Sequence, residues 1–288
     1  MEYVLSVCSF PPGKPMKIND WLKSVTSLLA SAGISSARLD ALILLEDHLK
    51  QDRSQLLAHP EIVLISRSLE ILNKLIERRS KHEPLAYIRG FSEFYGRKFQ
   101  VTPDTLEPRS ETETIITLLK TLPTPKQDGP VYVDVGTGSG CLAITAKLEF
   151  PKAQVIATDI SAACLKIAKH NAKGLHAKVD FFEGNLLDPL PTSSYPLPGT
   201  IILANLPYVP DSHTINQAAM FEPRQAIFGG EDGLDLYRTL FAQLVKKPAA
   251  YVITESLPFQ HTELVQIAER HGYILKMSED FIQVFQQI

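Results

Sequence analysis

Glycine-rich segments that follow β-branched runs restrict the folds a chain can adopt, and this chain has one. The run Val131–Val135 leads into a segment in which three glycines alternate with hydroxyl residues. Glycines allow a tight strand-to-helix turn there and let a ligand approach the free amides of the helix start. A turn needed only for packing is the alternative. The segment predicts a cofactor loop formed by Gly136, Thr137, Gly138, Ser139 and Gly140.

The glycine spacing in this loop narrows the class of ligand that it can bind. It is Gly-x-Gly-x-Gly with no Gly-Lys-Ser/Thr after it, which disfavours a phosphate-binding P-loop. Asp159 ends the next predicted strand, where a carboxylate can accept hydrogen bonds from both ribose hydroxyls, and Ser161 after it suits a helix N-cap. Asn185 follows the third strand, where its amide can read an adenine edge or simply form a turn. We expect a nucleoside-containing cofactor.

The chain around this loop alternates short β-branched runs with helical patterns. Strands are predicted, in chain order, at Val131–Val135, Gln154–Asp159, Lys178–Gly184, Thr200–Asn205 and Tyr251–Glu255, with two more at the C-terminus. This order predicts an α/β fold with a mostly parallel sheet and an antiparallel C-terminal edge. Before it, apolar residues recur at helical spacing over residues 18–79, which predicts a small N-terminal helical bundle. A hairpin is expected between them, and Ser110 is the expected N-cap of a helix over residues 111–122.

Length and composition set the domain organisation. The 288 residues are about twice the ~150 of a typical single domain. We expect a flexible tail over residues 1–16, a helical substrate-recognition domain over residues 17–83, a connecting hairpin over residues 84–105 and a catalytic domain over residues 106–288. The 44% hydrophobic and 21% charged residues indicate a globular chain.

Charge and cysteine content exclude several classes of protein. A net charge of −3 gives no general field for nucleic acid, so stable nucleic-acid binding is not expected. Three scattered cysteines form neither a disulfide framework nor a zinc site, which favours a reducing cytoplasm and no metal. No apolar run approaches the ~18 residues of a membrane helix. We expect a cytoplasmic monomer that does not span a membrane.

A short segment after the fourth strand suggests the chemistry. It is Asn205-Leu206-Pro207-Tyr208, which parallel pairing would place across from the glycine loop. An Asn side-chain oxygen and a backbone carbonyl held by proline can both accept hydrogen bonds from a planar NH₂ group, and Tyr208 can pack on its plane. These hydrogen bonds can position an amide nitrogen for attack on an electrophilic methyl group. A strand-ending turn with a buried tyrosine is the alternative.

A family resemblance extends over nearly all of the chain after the tail. Besides the cofactor loop and residues 205–208, the segments that carry it are residues 78–79, 83–90, 93–96, 108–113, 222–223 and 229–238. In these segments the chain resembles the release-factor glutamine methyltransferases, the HemK/PrmC family of class I S-adenosylmethionine-dependent methyltransferases.

The resemblance implies a Rossmann-like class I methyltransferase sheet and S-adenosyl-L-methionine as cofactor. It implies that the glutamine of a Gly-Gly-Gln loop in a peptide chain release factor is the substrate, and that the helical domain helps to hold this protein partner. Residues 136–140, Asp159, Asn185, Leu186 and Asn205 would line the cofactor site. The catalytic and substrate-binding set would be Asn205, Leu206, Pro207, Tyr208 and Arg109. A purely structural ion pair is an alternative role for Arg109.

Several positions depart from the family pattern. Leu206 replaces the first proline of Asn-Pro-Pro-Tyr, Glu107 and Ser110 differ from the usual residues, and Asn185 stands where an Asp is usual. The last hairpin also lacks its usual Gly and Arg. The form Asn-Leu-Pro-Tyr is also seen in ribosomal RNA adenine dimethylases, so this segment reports the geometry of the nitrogen and not the identity of the substrate.

Four other functions stay open at this stage. They are glutamine methylation of a large-subunit ribosomal protein, exocyclic-amine methylation of adenine in RNA, a nicotinamide-dependent oxidoreductase, and a non-catalytic binding module. The oxidoreductase leaves residues 205–208 unexplained. RNA draws slight support from eight basic against four acidic residues over residues 67–98. An acidic protein partner explains this charge equally, and a solvated helix face is the favoured explanation. For a methyltransferase we expect direct in-line transfer without a covalent enzyme intermediate.

Overall fold

The computed structural model describes residues 15–123, 129–191 and 199–288. The predicted tail over residues 1–16 lies almost wholly outside this range, although Met16 already belongs to a strand. The described chain forms two compact units. The first extends to Arg89 and includes Gln217–Phe221, and the second comprises Gly90–Asn216 and Glu222–Ile288.

The first unit is helical, as the sequence predicts. Its core packs apolar side chains of α1, α2 and α4 around the fully buried Trp21. Its described elements are β1 (Met16–Lys17), α1 (Ile18–Ser31), α2 (Ala37–Leu49), α3 (Arg53–Ala58), β2 (Val63–Leu64), α4 (Ser66–Ser80) and α5 (Leu85–Arg89). Strand β1 pairs with β2 in antiparallel fashion. Sequence periodicity did not indicate this strand pair or the short helices α3 and α5, because each is too short to show a period.

Most basic residues over residues 67–98 are already paired with carboxylates. Arg79 Nε lies 2.6 Å from Asp40 Oδ2, and Arg89 Nε lies 2.7 Å from Asp47 Oδ2. Three further pairs of this kind join Arg78 to Glu83, Lys81 to Glu77 and Arg97 to Glu149. Five of the eight basic side chains in this segment thus have a carboxylate partner that compensates their charge.

The second unit begins with the expected hairpin, β3 (Phe91–Phe94) and β4 (Arg97–Gln100). Helix α6 follows at Glu113–Leu119. The expectation that Ser110 caps this helix is wrong, because the helix starts later and the Ser110 hydroxyl donates instead to Glu111. Residue 112 holds the N-cap position, and its side chain does not cap the helix either.

A seven-stranded sheet forms the body of the second unit and confirms the predicted α/β class. Its order is β10-β11-β9-β8-β5-β6-β7, with β5 to β9 parallel and β11 antiparallel to both β9 and β10. The strands are β5 (Val131–Val135), β6 (Gln154–Asp159), β7 (Asp180–Glu183), β8 (Ile201–Ala204), β9 (Tyr251–Glu255), β10 (Tyr273–Glu279) and β11 (Ile282–Gln287). The helices are α7 (Cys141–Glu149), α8 (Ala162–Gly174), α9 (Arg224–Ile227), α10 (Asp235–Leu244) and α11 (His261–Arg270).

The strand order fixes where a ligand site can form. The chain passes from β5 outward through β6 and β7 and then returns to the other side of β5 to form β8. In open parallel sheets, ligands bind at the carboxyl ends of the strands where the order reverses in this way. The predicted site residues follow β5, β6, β7 and β8 at that edge. None of the helices in the described ranges is long and apolar enough to cross a membrane.

Candidate active site

A cavity of about 270 Å³ lies at the carboxyl edge of the sheet. The predicted residues that line it are Gly136, Gly138, Asp159, Asn185, Leu186, Asn205, Leu206 and Pro207. Residues that were not predicted as site residues complete it, among them Asp104, Leu106, Ile160, Cys164, Pro223, Gln225 and Leu236. The structure therefore brings together both the cofactor residues and the Asn-Leu-Pro segment that the sequence predicts.

The glycine loop forms one wall of this cavity. The amides of Gly136 and Thr137 both donate to Thr158 O, at 2.9 and 3.0 Å, which ties the loop to β6. Gly136 has φ +73°, and a Cβ there would lie 3.0 Å from Leu206 Cδ2. Only glycine adopts this backbone without strain at so close an approach. Gly140 holds the N-cap position of α7, where a Cβ would lie 3.0 Å from Ala168 Cβ, and it does not line this cavity.

Asp159 lies where a ribose carboxylate is expected. Its Oδ2 accepts from Gly138 N and its Oδ1 from Ser161 N, both at 2.8 Å. Burial raises the pKa of Asp159, and these backbone hydrogen bonds oppose the rise. The Ser161 hydroxyl accepts from Cys164 N and caps α8, as predicted. One carboxylate therefore closes the glycine loop and still faces the cavity.

Two residues that sequence reasoning left without a role support the loop from below. Asp134 Oδ2 accepts from Thr137 Oγ1 at 2.5 Å and from Ala143 N at 3.1 Å, and burial raises its pKa to about 7. Asn171 donates to Ser139 O at 2.8 Å and also bonds the backbone of Gln100 in the hairpin. The hydrogen bonds from Thr137 to Asp134 and from Asn171 to Ser139 thus hold the loop in place.

The loop after β7 contributes Asn185 and Leu186. Asn185 is exposed, whereas Leu186 is buried with φ +51°, an unfavourable conformation for a leucine. The next amide, Leu187 N, donates to Gln243 Oε1 of α10 at 2.9 Å, which holds the strained turn against the cavity. Strained residues of this kind concentrate at functional sites.

A smaller cavity of about 50 Å³ adjoins the first and shares Leu106, Gly136, Gly138 and Asn205 with it. Arg109, Thr137 and Ser139 also line it. Arg109 Nη2 lies 2.5 Å from Oε2 of the buried Glu222. Arg109 therefore forms the ion pair that was the alternative for it, and it lies at a cavity wall as well.

The side chains of Asn205 and Tyr208 each hydrogen-bond a side chain from a distant part of the sequence. Asn205 Nδ2 donates to Thr112 Oγ1 at 2.8 Å, which leaves Asn205 Oδ1 as the free acceptor of this amide. Tyr208 Oη donates to Glu255 Oε1 at 3.1 Å. Neither Tyr208 nor Glu255 lines either cavity, so this hydrogen bond lies outside both cavities.

Buried groups also hold the backbone of residues 205–208, which we call the amide-binding segment. The Tyr237 hydroxyl accepts from Leu206 N at 3.3 Å and contacts the Glu255 carbonyl oxygen. Gln260 Nε2 donates to Tyr208 O at 2.7 Å. A Cβ at Gly229 would lie 2.3 Å from the Pro207 carbonyl oxygen, so glycine is required for this close approach. Hydrogen bonds to the Leu206 amide and to the Tyr208 carbonyl oxygen thus hold the backbone of this segment at two points.

Comparison with known proteins defines the class first. The PrmC N-terminal domain model matches residues 20–90, and the methyltransferase small domain model matches residues 114–223. With the strand order and the cavity at its carboxyl edge, these matches make the second unit a class I methyltransferase domain.

Individual relatives identify the family. The chain is 39% identical to the release factor glutamine methyltransferase of Coxiella burnetii, over 90% of this chain and 92% of that protein. It is 38% identical to that of Koribacter versatilis, over 83% and 86%, and 37% identical to that of Geobacter sulfurreducens, over 78% and 76%. The chain belongs to the release factor glutamine methyltransferase family.

Proposed function

We propose that this protein transfers a methyl group from S-adenosyl-L-methionine to the side-chain amide nitrogen of the glutamine in the Gly-Gly-Gln loop of a peptide chain release factor. The observation that carries the proposal is the hydrogen bond from Asn205 Nδ2 to Thr112, because it leaves Asn205 Oδ1 to accept an N–H at the wall of the cofactor cavity. Membership of the family supports the choice of a glutamine amide.

The cavity fits the cofactor by the chemistry of its lining. Asp159 offers acceptor oxygens for ribose hydroxyls, and Leu186, Ile160 and Leu206 offer apolar walls for an adenine ring. The bound cofactor would supply an electrophilic methyl on a sulfonium. The glycine backbone lets that ligand lie against the sheet edge, next to Asn205.

The amide-binding segment acts on the other reactant. An amide nitrogen is a weak nucleophile, so its plane and distance must be fixed before it attacks. Asn205 Oδ1 and a backbone carbonyl of the segment would each accept one N–H and hold the lone pair toward the methyl. After methylation the nitrogen is strongly acidic and loses its proton without a strong base.

The cysteines at the site do not act as nucleophiles in this mechanism. Burial raises the pKa of Cys141 to about 12 and that of Cys164 to about 11, so both remain thiols. The Cys164 thiol donates to Asp104 O at 3.1 Å. This supports direct transfer without a covalent enzyme intermediate.

The two-domain organisation has a proposed division of labour. The helical unit would hold the release factor while the methyltransferase domain, with the connecting hairpin, receives its glutamine loop. Arg109, at the smaller cavity, would contact the incoming loop while it stays paired with Glu222. We place the reaction in the cytoplasm, where release factors act.

The test is transfer of a labelled methyl from the cofactor to a purified release factor. Label is expected on the wild-type factor and not on a factor whose loop glutamine is replaced. Parallel reactions contain large-subunit ribosomal proteins and ribosomal RNA. Label on either of these in place of the release factor, or label on none, would reject the proposal.

A further inference from the structure

A buried carboxylate without an assigned role lies behind the amide-binding segment. Glu255 is the last residue of β9 and is 1% exposed. Because β9 pairs in parallel with β8, with Thr254 opposite Ala204, Glu255 leaves the sheet beside Asn205. No basic side chain in the described ranges forms an ion pair with it. A buried carboxylate is costly unless its lone pairs are used, so its partners need an explanation.

Hydroxyl groups lie next to the Glu255 carboxylate, and the charges of Glu111 and Arg109 also act on it. Its Oε1 accepts from Tyr208 Oη at 3.1 Å. Its Oε2 is buried and has no hydrogen bond of standard geometry within the described residues. Burial raises the pKa of Glu255, and the hydroxyls of Thr112 and Tyr208 are close enough to oppose that rise. Thr112 also accepts from Asn205 Nδ2. Hydrogen bonds of standard geometry thus join Asn205 to Thr112 and Tyr208 to Glu255. The Thr112 hydroxyl, which donates to no partner within the described residues, lies near the Glu255 carboxylate, and a bond between them would complete one polar chain from Asn205 through Thr112 and Glu255 to Tyr208.

The direction of the hydrogen bonds along this chain decides which atom Asn205 presents to a substrate. A threonine hydroxyl can donate or accept, so Thr112 alone would accept either orientation of the Asn205 amide. An ionised carboxylate only accepts. If the Thr112 proton is directed to Glu255, only lone pairs remain for Asn205, which must then turn its NH₂ toward Thr112.

We propose that Glu255 is a positioning residue: as an acceptor-only group it sets the hydrogen-bond direction in the chain, so that Asn205 presents Oδ1 and Tyr208 keeps a fixed ring position. This inference rests on the proposed function. The Thr112 side chain supports it, because Thr112 occupies the N-cap of α6 and yet does not cap it. Its hydroxyl is used in the chain instead.

The decisive variant is Glu255→Gln. Glutamine has the same shape but can donate to Thr112, which would reverse the chain and turn the Asn205 NH₂ toward the substrate NH₂. We expect kcat to fall about 10²-fold, while the cofactor Kd stays within about twofold of wild type. Glu113→Gln is the matched control, because its carboxyl lines neither cavity and, within the described residues, accepts only from Tyr95 N, a bond that an amide oxygen can also accept.

Thr112 variants test whether the effect passes through the chain. Thr112→Val should lower kcat to a similar extent, and Thr112→Ser should restore it to within about threefold of wild type. Since both changes break the same chain, the double variant with Glu255→Gln should be no slower than Thr112→Val alone. Wild-type turnover in Glu255→Gln, or losses that multiply in the double variant, would overturn the inference.

A measurement without turnover separates this inference from the proposed function. The carboxamide ¹⁵N signal of Asn205, assigned by its loss in Asn205→Ala, reports hydrogen exchange of its NH₂. One proton should be protected in wild type and in Thr112→Ser, and unprotected in Glu255→Gln and Thr112→Val. Equal protection in wild type and Glu255→Gln would contradict the positioning role, even if the wild type transferred no label to a release factor.

Discussion

On the cofactor side of the active site, the key contacts join backbone to side chain over short stretches of sequence, such as Ser161 N to Asp159 two residues away and Gly138 N to Asp159 across 21 residues. On the amide side, Asn205 bonds Thr112 across 93 residues and Leu206 bonds Tyr237 across 31. The contacts of Asp159 are thus more local in sequence than that of Asn205, although Asn171 and Gln243, which support the cofactor side, lie 32 and 56 residues from their partners Ser139 and Leu187. We expect changes on the cofactor side to alter cofactor affinity and changes on the amide side to alter turnover.

The largest effect is expected from Asn205→Ala. It removes the side-chain acceptor for the substrate amide but leaves the carboxylate and glycine contacts of the cofactor side intact. We expect kcat to fall by roughly 10²-fold or more and the cofactor Kd, measured by calorimetry, to change little. Unchanged turnover would contradict the role of Asn205.

Asp159→Asn should give the opposite result. The carboxylate bonds two backbone amides and faces the cavity. Because hydrogen bonds to a charged acceptor contribute about 1.5–3 kcal/mol, we expect the cofactor Kd to rise roughly 10- to 100-fold. At saturating cofactor, kcat should fall much less than in Asn205→Ala. A variant that lost kcat but kept its Kd would show that the two sides are not separable in this way.

The sequence predicted the cofactor side better than the amide side because the contacts of Asp159 are more local in sequence than that of Asn205. The glycine loop, Asp159 and the cap at Ser161 are coded by short stretches, and the strands β5, β6 and β9 have the predicted bounds. Residues 205–208 were found because Asn205 and Pro207 also lie within one short stretch, two positions apart.

The supports of the amide-binding segment could not be found in this way. Thr112 and Tyr237 lie in segments that carry the family resemblance, but no local pattern gave them, Glu255 or Gln260 a role, and only the folded sheet brings the four behind the segment. The error at Ser110 has a related cause, because a hydroxyl before a helical pattern predicts a cap, and tertiary contacts decide where the helix begins.

Tyr237→Phe tests one of these distant supports and should have a smaller effect. It leaves the buried Leu206 N–H without an acceptor, which costs about 1–3 kcal/mol in the free energy of unfolding. We also expect kcat to fall by about 2- to 10-fold, because the Leu206 peptide is no longer held.

Tyr273→Phe is the matched control for this change. The Tyr273 hydroxyl is also buried and bonds the backbone of Ala249, but it lies away from the site on β10. The loss of stability, measured by urea unfolding, should be similar and kcat should be unchanged. If both variants lost kcat equally, general destabilisation would explain the result and the amide side would not be a separate unit.

The smallest effect on turnover is expected from Asp134→Asn, because this side chain supports the cofactor loop from below and has no proposed role in binding either reactant. Burial raises the pKa of Asp134 to about 7. A carboxyl whose pKa is raised by folding binds its proton more tightly in the folded state, so its contribution favours folding at low pH and is lost as the pH rises through about 7. At about 1.4 kcal/mol per pH unit, roughly 2–3 kcal/mol of stability should be lost between pH 5 and pH 7.

Asparagine can still accept from Thr137 and Ala143 and does not titrate, so the melting temperature of the variant should fall less over this range than that of wild type. Parallel melting profiles from pH 5 to pH 8 would mean that the local hydrogen bonds, and not ionisation, determine the stability of the cofactor side.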